Sequence, residues 1–135
     1  MTFSYFRIIR LADTDAAGVV YFSNLLSICH EAYEDFLTSN PISFKNLVYH
    51  GSIALPIVHA EIDFFKPIYC GDRILIDIIA TINTNNEFKI DYRIYPELYN
   101  DVTLAFAKTI HVCIDKKTRK RVNFPDLIKE CLQNN

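Results

Sequence analysis

Asn24-Leu25-Leu26-Ser27-Ile28-Cys29-His30-Glu31-Ala32-Tyr33-Glu34-Asp35-Phe36-Leu37-Thr38-Ser39 sets its apolar residues at helical spacing. At about 100° per residue, Leu25, Leu26, Ile28, Cys29, Ala32, Tyr33, Phe36 and Leu37 fill one half of the wheel. Ser27, His30, Glu31, Glu34, Asp35 and Thr38 fill a contiguous arc opposite. The spacing predicts a helix over residues 24–39, capped at its start by Ser23 or Asn24. Asn40-Pro41 should end it, because proline disfavours a helical residue before it. A helix with half its surface apolar needs a broad apolar partner, and a sheet face supplies one.

The remaining chain reads mainly as strands. In residues 87–95, Phe88, Ile90, Tyr92 and Ile94 alternate with Lys89, Asp91 and Arg93. Residues 73–82 put Ile74, Ile76, Ile78, Ala80 and Ile82 on one face. Residues 54–65 carry Val58, Ala60, Ile62 and Phe64 on one side, with His59, Glu61 and Asp63 on the other. Residues 102–114 are rich in β-branched and aromatic side chains, and residues 3–11 form a less regular first strand. Connections are short at Cys70-Gly71-Asp72 and Asn83-Thr84-Asn85-Asn86, which favours an antiparallel meander. A closing helix is expected over residues 125–132, with Pro125 in its first turn. The order is strand, long helix, then four or more strands. That is an α+β fold class, one helix on an antiparallel sheet, in a single domain over residues 1–135.

Composition narrows the function. The chain has 135 residues, half of them hydrophobic, and a formal net charge of -2. That suffices for a core without disulfides or metal, and it lacks the basic excess of a nucleic-acid binder. Cys29, Cys70, Cys113 and Cys131 form no CxxC pair and read as free thiols of a reducing compartment. His30, His50, His59 and His111 lack metal-ligand spacing. The N-terminus shows no signal-peptide h-region, and no apolar run is long enough to span a membrane, so a cytoplasmic location is expected.

The chemistry concentrates in Leu11-Ala12-Asp13-Thr14-Asp15-Ala16-Ala17-Gly18-Val19-Val20-Tyr21-Phe22, between the first strand and the helix. A helix N-terminus presents unpaired N–H groups and a partial positive charge, which can polarise a carbonyl and hold an oxyanion. A nearby carboxylate can attack that carbonyl or activate a water. Gly18 lets the backbone turn. The same residues could also serve only as an acidic turn that caps the helix.

Asp-Thr-Asp-Ala-Ala-Gly-Val-Val-Tyr-Phe resembles the signature of the 4-hydroxybenzoyl-CoA thioesterase group of hot-dog proteins: Asp-x-Asp-x-x-Gly, two hydrophobic residues, an aromatic pair and the central helix. The similarity extends through Cys29-His30-Glu31-Ala32-Tyr33-Glu34, Ala54-Leu55-Pro56-Ile57-Val58-His59-Ala60, Asp63-Phe64-Phe65-Lys66-Pro67 and Cys70-Gly71-Asp72. These runs are most similar to those of cyanobacterial 1,4-dihydroxy-2-naphthoyl-CoA thioesterases. The resemblance implies a hot-dog fold, a long central helix wrapped by a curved antiparallel sheet of about five strands. It also implies a homodimer or homotetramer with sites at the subunit interface, acting on a small-molecule acyl-CoA without nucleic acid or membrane insertion. Asp15 falls on the catalytic carboxylate and the Phe22 backbone N–H on the oxyanion donor. No metal or cofactor is required, coenzyme A being part of the substrate and a product. Related Tol-Pal-associated thioesterases carry histidine where this chain has Phe22, and a ring there suits an aromatic acyl group or core packing.

Other residues carry two readings each. Asp13 organises the turn. Gly18 and Tyr21 are expected at the substrate by their place in the motif. His30 borders the apolar arc, as a packed residue or as a contact to the acyl ring. His59 lies on a sheet surface or lines the pocket. Lys116, Lys117, Arg119, Lys120 and Arg121 put five cations in six residues, a solvated turn or a site for coenzyme A phosphates. Lys89 and Arg93 are weaker candidates for those phosphates. The expected reaction is hydrolysis of 1,4-dihydroxy-2-naphthoyl-CoA in phylloquinone biosynthesis. The alternatives are a general fatty or aryl acyl-CoA thioesterase and a non-enzymatic acyl-CoA-binding module.

Overall fold

The computed structural model describes residues 2–40 and 46–134. Strand β1 (Phe3–Ile8) leads through a short 3-10 turn (Leu11–Asp13) and a loop to helix α1 (Phe22–Thr38). A single wide helical turn at Asn46–His50 precedes β2 (Ile53–Ala54), β3 (Ile57–Phe64), β4 (Arg73–Thr84), β5 (Glu87–Pro96), β6 (Ala105–Val112), β7 (Ile114–Asp115) and α2 (Asp126–Gln133).

The amphipathic reading of α1 holds. Leu25, Ile28, Cys29, Ala32, Tyr33, Phe36 and Leu37 are buried, and the polar arc is exposed. Their partners are the alternating residues of three strands: Ile74, Ile76 and Ile78 of β4, Phe88, Ile90, Tyr92 and Ile94 of β5, and Ala105, Ala107, Thr109 and His111 of β6. Burying each large aliphatic or aromatic side chain contributes about 1.5–3 kcal/mol, so this face holds the helix on the sheet. Helix α2 adds Ile128, Cys131 and Leu132, and Phe124 meets Phe88 edge-on at 5.7 Å.

Both helix starts differ from expectation. Helix α1 begins two residues early, with Tyr21 at the N-cap and no capping side chain. The Asn24 amide is drawn to the Asp13 carbonyl instead, at 3.0 Å. Pro125 is the N-cap of α2 and precedes its first turn. Pro41, the expected stop of α1, lies outside the described residues. Within them, the Ser39 hydroxyl and the Asn40 amide close the helix on the Phe36 carbonyl at 2.7 and 3.1 Å.

The five-stranded sheet runs β1-β4-β5-β6-β3, antiparallel throughout. Strands β4, β5 and β6 form the expected meander, but β3 does not join it beside β4. Strand β1 occupies that edge, so β3 pairs at the far side with β6. Its pairing also shifts. Ile57 opposes His111 and His59 opposes Ile110, which leaves Val58 as an extra residue in a bulge. Ile57 therefore shares the helix-facing side with Ala60, Ile62 and Phe64. Val58, expected there, is 55% exposed.

Candidate active site

The loop that enters α1 is fixed from three sides. Arg7 on β1 binds the Asp13 carboxylate through Nη1 and Nη2, and donates from Nε to Glu31 of α1 at 2.8 Å. The Arg10 N–H also donates to Asp13, at 2.8 Å. Partial burial opposes ionisation of Asp13, but the Arg7 and Arg10 bonds prevail and hold its carboxyl below the usual carboxylate value. Asp13 thus organises the turn, as expected. The Asp13 carbonyl accepts the Tyr21 N–H at 3.0 Å, and the Val20 N–H reaches the Ile68 carbonyl at 2.8 Å.

Between these anchors Thr14 pairs with Val20, and the Asp15 N–H donates to the Val19 carbonyl at 3.0 Å. The Gly18 N–H closes back on the Asp15 carbonyl, also at 3.0 Å. Gly18 has φ +83°, which a side chain rarely adopts, although a Cβ there would meet nothing within 4 Å. Backbone conformation, and not space, requires the glycine. The exposed Asp15 carboxylate uses Oδ1 to accept the Ala17 N–H at 2.8 Å. Among the described residues Oδ2 has no partner, so one oxygen is oriented by the turn and the other is open.

Phe22 is the first residue of α1, and its N–H meets no acceptor among the described residues. The pairing of Tyr21 with Asp13, and of Val19 with Asp15, brings this N–H and the Asp15 carboxylate onto one short hairpin. The exposed rings of Tyr21 and Phe22 lie 4.8 Å apart. An open groove of about 280 Å³ is lined by Val19, Val20 and Leu25 and by Phe64, Phe65 and Lys66.

A second cavity, about 410 Å³, opens further along the helix. It is lined by Leu26, Ser27 and His30 of α1, Ile57 and Ala60 of β3, Tyr92 of β5 and Thr109 of β6. The Tyr92 hydroxyl lies 3.0 Å from Thr109 Oγ1, which lies 2.8 Å from His111 Nε2. The His111 ring is fully buried and stacks on Phe88 at 4.7 Å. Burial pushes its pKa down to about 4, against the Leu55 backbone, which raises it, and with His30, which lowers it. The sequence marks Tyr92 only as a strand residue and His111 only as a histidine without metal-ligand spacing, and it gives Thr109 no role. The available signal was two polar residues in phase with Ala105 and Ala107 on an otherwise apolar strand face.

The other sequence candidates separate. His30 is exposed and lines the 410 Å³ cavity and a smaller one beside Tyr33 and Lys116. His59 is on the sheet's outer face, 3.1 Å from Glu61, and is not brought to either cavity within the protomer. Lys89 pairs with Asp91 at 3.2 Å on that same outer face, and Arg93 bonds Thr103 and the Asn100 carbonyl. The basic run is a tight turn. Asp115 Oδ1 accepts the N–H groups of Lys117 and Thr118, and Arg119 adopts φ 63°. Arg121 leans on Glu87 at 3.6 Å, while Lys117, Arg119 and Lys120 point to solvent.

The sequence pattern of the thioesterase-like superfamily matches residues 9–132. The chain belongs to this family. It is 51% identical over 128 residues to a Microcystis aeruginosa protein named 1,4-dihydroxy-2-naphthoyl-CoA hydrolase, covering 95% of this chain and 91% of that one. A Synechococcus elongatus protein of the same name is 46% identical, with 97% and 95% covered. The crystal structure of a 1,4-dihydroxy-2-naphthoyl-CoA thioesterase from Synechocystis superposes with a TM-score of 0.93 at 44% identity, covering 99% of this chain and 97% of that one. The architecture is therefore the hot-dog thioesterase fold.

Proposed function

We propose that this thioesterase-family protein hydrolyses 1,4-dihydroxy-2-naphthoyl-CoA to 1,4-dihydroxy-2-naphthoate and coenzyme A, a step of phylloquinone biosynthesis. The observation that carries the reading is the Asp15 carboxylate, with one oxygen anchored and the other, among the described residues, without a partner, on the hairpin that ends at the Phe22 N–H, which meets no acceptor among the same residues. The 51% identity to a hydrolase of this thioester directs the choice of acyl group. The thioester oxygen sits at the Phe22 N–H, where the helix terminus stabilises the charge that develops on it. Asp15 then takes a proton from a water that attacks the carbonyl carbon, or attacks that carbon itself, expelling the thiolate and forming an anhydride that a water cleaves to regenerate the carboxylate. Either route breaks the C–S bond and delivers the hydroxyl of one water to the acyl carbon and its proton to the departing sulfur. Gly18 and Tyr21 shape the entrance.

Assembly follows from the sheet edge. Among the described residues no strand pairs with the outer edge of β3, which exposes Ile57, Val58 and Phe64, with Phe65 just beyond it. Such an edge invites pairing. The protein acts as a dimer or a dimer of dimers joined there, and light scattering that finds a stable, active monomer would refute this.

Turnover of an acyl-CoA panel tests the substrate. The dihydroxynaphthoyl thioester should exceed hexanoyl- and palmitoyl-CoA in kcat/KM by at least about tenfold. Equal activity on fatty acyl-CoA would make the protein a general thioesterase, and binding without turnover would make it an acyl-CoA-binding module.

A further inference from the structure

We infer that the Tyr92–Thr109–His111 chain is a polar subsite that receives a hydroxyl group on the ring of an aromatic acyl substrate. The inference rests on the thioesterase reading and adds the residues that select the acyl group.

The inner face of the sheet is otherwise apolar around this point, with Ile74, Ile76, Ile78, Phe88, Ile90 and Ile94 fully buried. Helix–sheet packing alone does not call for three polar side chains among them, because buried polar groups stabilise only when satisfied. Here they form one line, His111 to Thr109 to Tyr92, and the line ends at a cavity. The room is made by small residues. Tyr92 opposes Ala107, and Thr109 opposes Ala60. At about 410 Å³ the cavity is within the roughly 300–1,000 Å³ typical of small-molecule sites.

Position along the helix fits as well. Ser27 is five residues beyond Phe22, about 7.5 Å along the axis at 1.5 Å per residue. An acyl group whose carbonyl is held at the Phe22 N–H can thus lay a flat ring across the cavity.

The Tyr92 and Thr109 hydroxyls can each donate and accept, so the line can adjust to a hydroxyl added at its cavity side. Tyr92 and His111 are fully buried, whereas Thr109 is 5% exposed and lines the cavity, so a ring hydroxyl of the ligand meets the line at Thr109, which Tyr92 and His111 hold in place. His30 at the cavity wall offers a second polar partner.

The test compares the 1,4-dihydroxy-2-naphthoyl and plain 2-naphthoyl thioesters on wild type, Tyr92→Phe and Thr109→Val. Wild type should prefer the hydroxylated thioester by at least about tenfold in kcat/KM, since an unfilled polar site penalises an analogue that lacks the hydroxyl. Thr109→Val should pull that ratio most of the way to one, and Tyr92→Phe, which removes a partner behind Thr109, should lower it less. Melting temperature reports whether each variant folds. If one variant fails to fold, the other carries the comparison. A wild-type ratio near one, or variants that slow both thioesters equally, would overturn the subsite and leave the thioesterase reading intact. If wild type hydrolyses neither thioester, the catalytic reading fails. Calorimetric binding of the two free acids then decides the subsite, with tighter binding of the dihydroxy acid lost in Thr109→Val as the expected result and equal binding as the refuting one.

Discussion

Asp15→Asn is the sharpest perturbation of the proposed site, because the structure separates the two carboxylate oxygens by role. Oδ1 accepts the Ala17 N–H at 2.8 Å, and an asparagine oxygen can keep that bond, so the turn should survive. Oδ2, the open oxygen, becomes an amide nitrogen that can neither attack a thioester nor accept a proton from water. General-base contributions run from about a hundredfold to ten-thousandfold. We therefore expect kcat to fall at least about a hundredfold, equivalent to about 2.7 kcal/mol of activation free energy. KM should change little, because the helix terminus and both cavities are untouched. The stability cost should stay within about 0.5 kcal/mol, as for other exposed positions. Asp13→Asn is the control. It weakens charge-assisted bonds to Arg7 and Arg10, which should cost about 1–2 kcal/mol after solvent screening, and it should leave more activity. The assay is kcat, KM and melting temperature for wild type and both variants. Near-normal turnover by a folded Asp15→Asn protein would refute the reasoning. Equal loss from Asp13→Asn without destabilisation would show that the two carboxylates act together.

Three further outcomes are expected. The folded-state pKa of His111 lies near 4, below the unfolded value near 6.5, so acid favours the unfolded chain. Its contribution is full above about pH 6.5 and is lost as pH falls towards 4, amounting to about 3 kcal/mol; urea unfolding at pH 7 and pH 5 should show a larger loss in wild type than in His111→Phe. Neutralising Lys117, Arg119 and Lys120 together should raise KM with kcat little changed, an effect that shrinks in high salt; an unchanged KM at low salt would assign the cluster to a plain solvated turn. Cys70 is exposed while Cys29, Cys113 and Cys131 are buried, with burial pushing Cys29 up to about 12; a thiol reagent should titrate one cysteine in the native protein and four in denaturant, and rapid reaction of more than one would contradict the packing.

Local pattern alone determined a good deal about this protein. The 3.6-residue rhythm of α1 marked which side chains meet the sheet, and the two-residue rhythm of β4 and β5 marked theirs, because burial acts on each element's own face whatever lies opposite. The turn of residues 13–18, singled out as a candidate catalytic loop by its family resemblance, is likewise local: it is held largely by bonds between near neighbours, Asp15 to Ala17, Gly18 and Val19. Tertiary structure decided what depends on pairing between distant segments. Strand β3 lies at the far edge because β1, some 50 residues earlier, already holds β4. The bulge at Val58 turned Ile57 inward and left Val58 exposed, and strand alternation cannot announce where it will be interrupted. Helix α1 starts at Phe22 because Asp13 draws away the Asn24 side chain that would otherwise cap it. The Tyr92–Thr109–His111 line exists only in the register that sets β5 against β6, where two alanines leave the space that three polar side chains share.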